Sequence, residues 1–333
     1  MSGSRSQTLI TGVYRTGSEY VAQLAGCHPA LAVSMYAVNA LRFLYGRFDP
    51  IERPERYRAA LRALAGRLRA RYQRELPEAA ILQRLDAAPK VSYGLLYDEI
   101  MCQLYLRPPA EHWAEKNQLL WREIPQFLDS MPNGRAVLVL RDPRSVLVSF
   151  REYTYAPPPA YLGAVFNCFD AMRFASRGGA LVAAGRLLVL RYEDAASDPQ
   201  GVAERLWAFL GLEGGRDVRD QAGWRDAYGK PWHANSSFHG NDDPAPFDLR
   251  RSVGRWQGEI TPGELALTEW VCGDLMASYG YERSASALTR EAALAAADGD
   301  LAIGRYFEDW ERSGEGIEAF PTDPLEPANW RNE

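Results

Sequence analysis

Apolar residues follow two patterns along the 333-residue chain. In the first they run on without alternation. Residues 7–11 hold Leu9 and Ile10 at their centre, residues 136–140 read AVLVL between Arg135 and Arg141, and residues 187–190 read LLVL between Arg186 and Arg191. Continuous runs of β-branched residues and leucine suit strands buried on both faces. In the second pattern the spacing is helical. Val21, Leu24 and Ala25 share one face of residues 18–27, and Leu61, Leu64 and Leu68 recur through the arginine-rich stretch 53–76. The arginines there read as a solvated face. Further helices are predicted from Ser145 onward and at about 92–107, 160–177, 199–211 and 262–279.

Strands alternating with helices pair in parallel, with helices covering both faces of the sheet. The predicted fold is α/β: a P-loop-like parallel sheet flanked by helices over residues 1–283. Residues 284–333 read as a C-terminal extension, one alanine-rich helix followed by a tail rich in Pro, Glu and Trp. Residues 231–258 are polar and proline-rich, with little periodicity, and no internal repeat is visible.

Composition narrows the function classes. Lys and Arg number 38 against 43 Asp and Glu, a net charge of −5. A general nucleic-acid binder needs a cationic face, so that class is disfavoured, while a small anion pocket is not. Cys27, Cys102, Cys168 and Cys272 form no CxxC pair and no zinc-ligand spacing. No metal is expected, and scattered thiols suit a reducing compartment. The apolar start is too short for a signal peptide. The longest apolar-rich run, 178–190, holds Arg186 and is too short for a bilayer. The expectation is a cytoplasmic protein with no membrane span.

The chemistry gathers in two loops. Gly12-Val-Tyr-Arg-Thr-Gly-Ser-Glu-Tyr20 lies between a predicted strand and a predicted helix. Backbone N–H groups and the helix dipole converge there, Arg15 adds a fork of donors, and Ser18 a hydroxyl. Such a loop can cradle phosphate or sulfate, or be a plain glycine turn. Its spacing approaches a Walker A loop, but Ser18 and Glu19 stand where that motif needs Lys and Ser/Thr. No Walker B aspartate follows the central strand, which ends in Arg141, so NTP hydrolysis is disfavoured. The second loop, Arg141-Asp-Pro-Arg-Ser-Val-Leu-Val-Ser149, follows the clearest strand. Ligands bind at the carboxyl ends of parallel strands, and Arg141 and Ser149 could meet one phosphate there.

Together RTGS and RDPRSVLVS resemble the sulfotransferase family that uses 3′-phosphoadenosine 5′-phosphosulfate (PAPS). Four further segments agree in order over roughly residues 7–282: His28-Pro29, Trp113-Ala-Glu-Lys116, Leu190-Arg-Tyr-Glu-Asp194, and Ser252-Val-Gly-Arg-Trp256 with Tyr279-Gly-Tyr281 after it. The resemblance implies sulfuryl transfer from PAPS to a hydroxyl acceptor, leaving adenosine 3′,5′-bisphosphate (PAP). It implies that Arg15, Thr16, Gly17, Ser18 and Glu19 hold the 5′-phosphosulfate and that Arg141 and Ser149 hold the 3′-phosphate. Arg251, Ser252, Gly254 and Arg255 would belong to a late loop over the donor, although Arg255 and Trp256 also read as a surface ion pair and a packed indole.

Sulfuryl transfer needs a base, in-line geometry and a stabilised leaving phosphate. Arg15 suits the last role, with Lys116 either a second cation or an exposed helix-end lysine. Relatives carry a glutamate or histidine after the His-Pro turn, whereas residues 32–39 here hold neither, and Tyr36 stands nearest that place. Other base candidates are His112, one turn from Lys116 if that segment is helical, His233, His239, Asp98 and Glu99. Aromatics at Tyr153, Tyr155, Tyr161, Phe166 and Phe169 read mainly as core and otherwise as an acceptor wall. The RTG-type loop with the His-Pro turn after it resembles bacterial carbohydrate and glycolipid sulfotransferases, and that resemblance implies a carbohydrate, glycolipid or small-molecule acceptor. Two other classes stay open: a P-loop kinase-like enzyme, and a non-catalytic relative that binds PAPS or PAP.

Overall fold

Leu9 and Ile10 lie fully buried in β1 (Gln7–Gly12), the middle strand of a five-stranded sheet seen in a computed structural model. The structure describes residues 5–154, 158–232, 249–284, 288–297 and 300–317, without the side chains of residues 153, 250 and 251. The other strands are β2 (Leu31–Met35), β3 (His112–Lys116), β4 (Arg135–Leu140) and β5 (Leu187–Arg191). Their spatial order is β2-β3-β1-β4-β5, and every pairing is parallel. Thus β1 pairs with β3 on one side and β4 on the other. The crevice beyond their carboxyl ends is where an open parallel sheet binds ligands.

All six residues of β1 are buried, and so are the last five of β4, as its unbroken apolar run required. Helices close both faces, among them Ser18–Gly26, Pro54–Tyr72, Pro143–Tyr153, Gly163–Arg177 and Pro262–Ser278. Pro143 opens its helix, and Asp142 caps it by accepting from the Arg144 N–H at 2.9 Å. The helix therefore begins two residues before Ser145.

Two strands escaped the hydrophobic pattern. The segment with His112 and Lys116 is β3, not a helix, and β2 precedes Tyr36. β3 lies inside the sheet with Glu115 and Lys116 wholly buried, so its charges hide the strand signal. In the 231–258 stretch, Leu249–Gly254 and Trp256–Glu259 are short helices, while residues 233–248 lie outside the described residues.

Beyond residue 284, helices Arg290–Ala295 and Leu301–Ser313 rest on the body of the protein. Ile303 and Phe307 join the main core, and Tyr306 and Trp310 pack on Phe166 and Phe169. Asn167 Nδ2 donates to the Ile317 carbonyl at 2.6 Å. Phe166 and Phe169 therefore serve packing, and the Tyr161 hydroxyl is spent on Glu264 at 2.7 Å. Tyr155 lies outside the described residues.

Candidate functional site

The loop after β1 is built by close approach. A Cβ on Gly12 would lie 2.6 Å from both the Thr16 hydroxyl and the Val139 carbonyl. Gly17 sits at φ +79°, and a Cβ there would fall 2.1 Å from Cδ2 of Tyr192. Only glycine meets both demands. Thr16 ties the turn by donating its hydroxyl to the Val13 carbonyl at 2.8 Å. Arg15 holds φ +62°, a left-handed conformation that costs a non-glycine residue about 1–3 kcal/mol and is typical of functional positions. Ser18 is buried at the start of helix Ser18–Gly26.

Arg15 and the second loop meet directly. Arg15 Nε donates to Ser149 Oγ at 3.0 Å. Arg141, at the end of β4, donates through one terminal nitrogen to the Arg15 carbonyl at 2.8 Å and through the other to the Ser252 carbonyl. Its guanidinium lies 4.5 Å from the ring centroid of Tyr192. Burial lowers its pKa, and its Nε is buried with no hydrogen-bond partner among the described residues. A buried, unpaired donor in a basic crevice fits an anionic ligand. The first glycine loop, Arg141, Ser149 and the Ser252 backbone thus belong to one site.

Lys116 and Tyr36 enter from the other flank. Lys116 Nζ is fully buried, donates to the Tyr36 hydroxyl, and lies 4.0 Å from that ring's centroid. It is 3.8 Å from Glu19 Oε1, which accepts the Tyr36 O–H. Burial pulls the Lys116 pKa down to about 7, with Glu19 opposing and Arg15 adding to the fall. Burial and Glu19 together push the Tyr36 pKa well above 10. The exposed helix-end reading of Lys116 is therefore wrong: the residue closes a strand and faces the loop.

Other sequence expectations fall elsewhere. His112 begins β3, four residues or ~13 Å along the strand from Lys116, at the amino edge of the sheet. Its Nδ1 accepts from the Ser6 N–H at 2.9 Å, and burial lowers its pKa. Asp98 is held by Trp113 Nε1 at 2.8 Å, Gln7 and Arg5. Both serve structure at that edge, and Glu99 lies beside Asp98 on the same helix. Arg255 is engaged by Glu152 and by Glu259 at 2.8 Å, and Trp256 stacks under Arg144 at 3.8 Å, matching the ion-pair and packed-indole reading. Gly254 is exposed, and a Cβ there would meet nothing within 4 Å. His233, His239 and the Arg251 side chain lie outside the described residues.

Sequence reasoning missed three supports. Tyr192 underlies both Gly17 and Arg141, and its hydroxyl bonds Ser252 Oγ. The Tyr-Glu-Asp triplet marked the strand end without giving Tyr192 this role. Glu115 accepts from the Val38 N–H at 2.8 Å, from the Asn39 N–H at 3.0 Å and from the Tyr97 hydroxyl, so it sets the turn after Tyr36. Glu193 likewise joins two motifs, accepting from the Asp142 N–H at 3.0 Å and the Tyr281 hydroxyl at 2.8 Å.

Fold and site together define an α/β protein in which Arg15, Ser149 and Arg141 meet at the carboxyl edge of a parallel sheet. A family model described as the sulfotransferase family matches residues 8–216. The chain belongs to the sulfotransferase family. It is similar in fold to the sulfotransferase domain from the Synechococcus PCC 7002 olefin synthase, at 18% identity and a TM-score of 0.53, over 84% of this chain and 95% of that one. The sulfotransferase domain from the curacin biosynthetic pathway matches at 14% identity and a TM-score of 0.49, over 84% of this chain and 99% of that one. No curated protein matches the chain. Among the described residues no helix is long and apolar enough to cross a membrane, and no group of three or more His, Cys, Asp or Glu is placed to hold a metal ion.

Proposed function

We propose that this protein transfers a sulfuryl group from PAPS to a hydroxyl on a small molecule or glycan. The observation that carries the reading is the Ser149–Arg15–Arg141 linkage, in which Arg15 bonds both partners and so joins the loop suited to a 5′-phosphosulfate to the loop suited to a 3′-phosphate. PAPS supplies the activated sulfuryl group, and the chain's own residues bind and orient it. Arg15 and the N–H groups of the 16–18 turn take the 5′ side. Arg141 and Ser149 take the 3′-phosphate, by a fork and a hydroxyl. Ser252 borders this crevice, since Arg141 holds its carbonyl. Lys116 offers charge to the leaving phosphate. The donor-binding residues all fall within 1–283.

Calorimetric titration of the purified chain with PAP, with ATP–Mg²⁺ as control, tests this reading. Tight PAP binding with weak ATP binding is expected. A clear preference for ATP would overturn it in favour of a kinase-like enzyme.

A further inference from the structure

The resemblance implied that Glu19 helps to hold the 5′-phosphosulfate, a role its carboxylate does not suit. Glu19 stands in the first turn of the helix behind the glycine loop, where a carboxylate opposes the binding of an anion. Its Oε1 instead accepts the hydroxyl proton of Tyr36. The same phenol oxygen accepts an N–H from Lys116. A phenol oxygen carries two lone pairs, so it can serve a substrate hydroxyl as well as the lysine.

Tyr36 is gripped in that position. It holds φ +60°, and its N–H donates to the Lys116 carbonyl at 2.9 Å. Its own carbonyl accepts from Arg67 at 3.3 Å and from the Tyr72 hydroxyl at 3.4 Å. Tyr36 and Glu19 are each only partly buried, and the hydroxyl sits between the Glu19 carboxylate and the Lys116 ammonium, beside the glycine loop. No acid or histidine occurs in residues 32–39, and the acid that serves this turn comes from 17 residues earlier in the chain.

Building on the sulfuryl-transfer reading, we propose that Tyr36 and Glu19 form a proton relay that deprotonates the acceptor. The acceptor O–H gives its proton to the Tyr36 oxygen as the Tyr36 proton passes to Glu19 Oε1. The acceptor oxygen forms its bond to sulfur while the sulfur–oxygen bond to the 5′-phosphate breaks, and that electron pair leaves with PAP. Tyr36 ends neutral and Glu19 ends protonated, to lose its proton to solvent before the next turnover. Concerted transfer avoids a free phenolate, which burial and Glu19 both disfavour. Tyr36 touches the acceptor and is the catalytic residue, while Glu19 acts through it.

The groups facing this pair are Lys116 from β3, Arg15 from the glycine loop, and Arg67 and Tyr72 from helix Pro54–Tyr72. The test compares wild type with Glu19→Gln, Glu19→Asp and Tyr36→Phe. PAP formation from PAPS is followed with phenol, ethanol, methyl glucoside and water as acceptors, and PAP affinity is measured by calorimetry. Loss of a general base lowers rate by about 10²–10⁴-fold. Glu19→Gln and Tyr36→Phe are expected to lose that much in kcat while PAP affinity stays within about threefold, as a group outside the donor's ion contacts should. Glu19→Asp should recover part of the rate. An unchanged rate in Glu19→Gln would overturn the relay. So would a parallel loss of PAP affinity, which would put Glu19 in the donor cradle, or a wild type that binds PAP yet turns over none of the four acceptors. Failure of wild type to bind PAP would instead overturn the donor reading, and the relay with it.

Discussion

Arg141 donates to the backbone carbonyl of Arg15 at 2.8 Å, so the cation of one loop supports the backbone of the other. The second fork nitrogen holds the Ser252 carbonyl, and the guanidinium stacks near Tyr192. A lysine keeps the charge but cannot span these partners, because it lacks the planar fork. Arg141→Lys is therefore expected to weaken PAP by about 10–100-fold, the scale of one or two charge-assisted hydrogen bonds. Calorimetry on the variant checks this, and affinity within a factor of two of wild type would count against the paired role.

Gly17 makes a separate demand. Alanine there would meet the Tyr192 ring at 2.1 Å while holding φ +79°. Gly17→Ala should cost at least about 1 kcal/mol of stability from the backbone alone, and more from the displaced ring. Urea unfolding measures it. An unchanged midpoint would mean that the loop does not lie on Tyr192.

Lys116 links stability to pH. Burial lowers its pKa from 10.5 to about 7. Between those values the unfolded chain holds a proton that the native chain lacks, so stability rises with pH through the window. Below about 7 both states are protonated and the whole burial penalty stands. Lys116→Met should flatten the rise between pH 7 and 10 in urea titrations. The same group should take up a proton when PAP brings negative charge beside it. Calorimetry in buffers of different ionisation enthalpy should detect that uptake in wild type and not in the methionine variant.

Glu115 secures the turn that carries Tyr36. Removing its carboxylate in Glu115→Ala strands the Val38 and Asn39 N–H groups and the Tyr97 hydroxyl. A loss of about 2–5 kcal/mol is expected, the range for breaking a buried charged network. Amide hydrogen exchange at Val38 and Asn39 should quicken ahead of the rest of the sheet.

Much of this was legible in the sequence where one residue type dominates locally. The runs of β4 and β5 announce strands, although edge strand β5 leaves Leu188 and Val189 half-buried where burial on both faces was expected, and Gly12, Arg15 and Gly17 announce an anion loop after β1. The Arg141–Ser149 spacing puts both residues beside Arg15, across 126 and 134 residues of chain. β2 and β3 were not legible, because buried Glu115 and Lys116 look like surface residues until their partners are seen. Reading β3 as helical also moved His112 close to Lys116, when strand geometry sets it at the opposite edge. The Glu19–Tyr36 contact has no periodic signature, since it joins a helix start to a turn beyond the next strand.

The central claim is that Arg141 and Arg15 serve the two ends of one donor. The most direct test measures PAP and AMP, which lacks the 3′-phosphate, on wild type and Arg141→Ala by calorimetry. Wild type should favour PAP over AMP by about 100-fold, the worth of a forked contact to one phosphate. In the variant AMP should weaken several-fold, because the Arg15 backbone loses its support, and the preference for PAP should vanish. A preference for PAP that survives in Arg141→Ala would contradict the account.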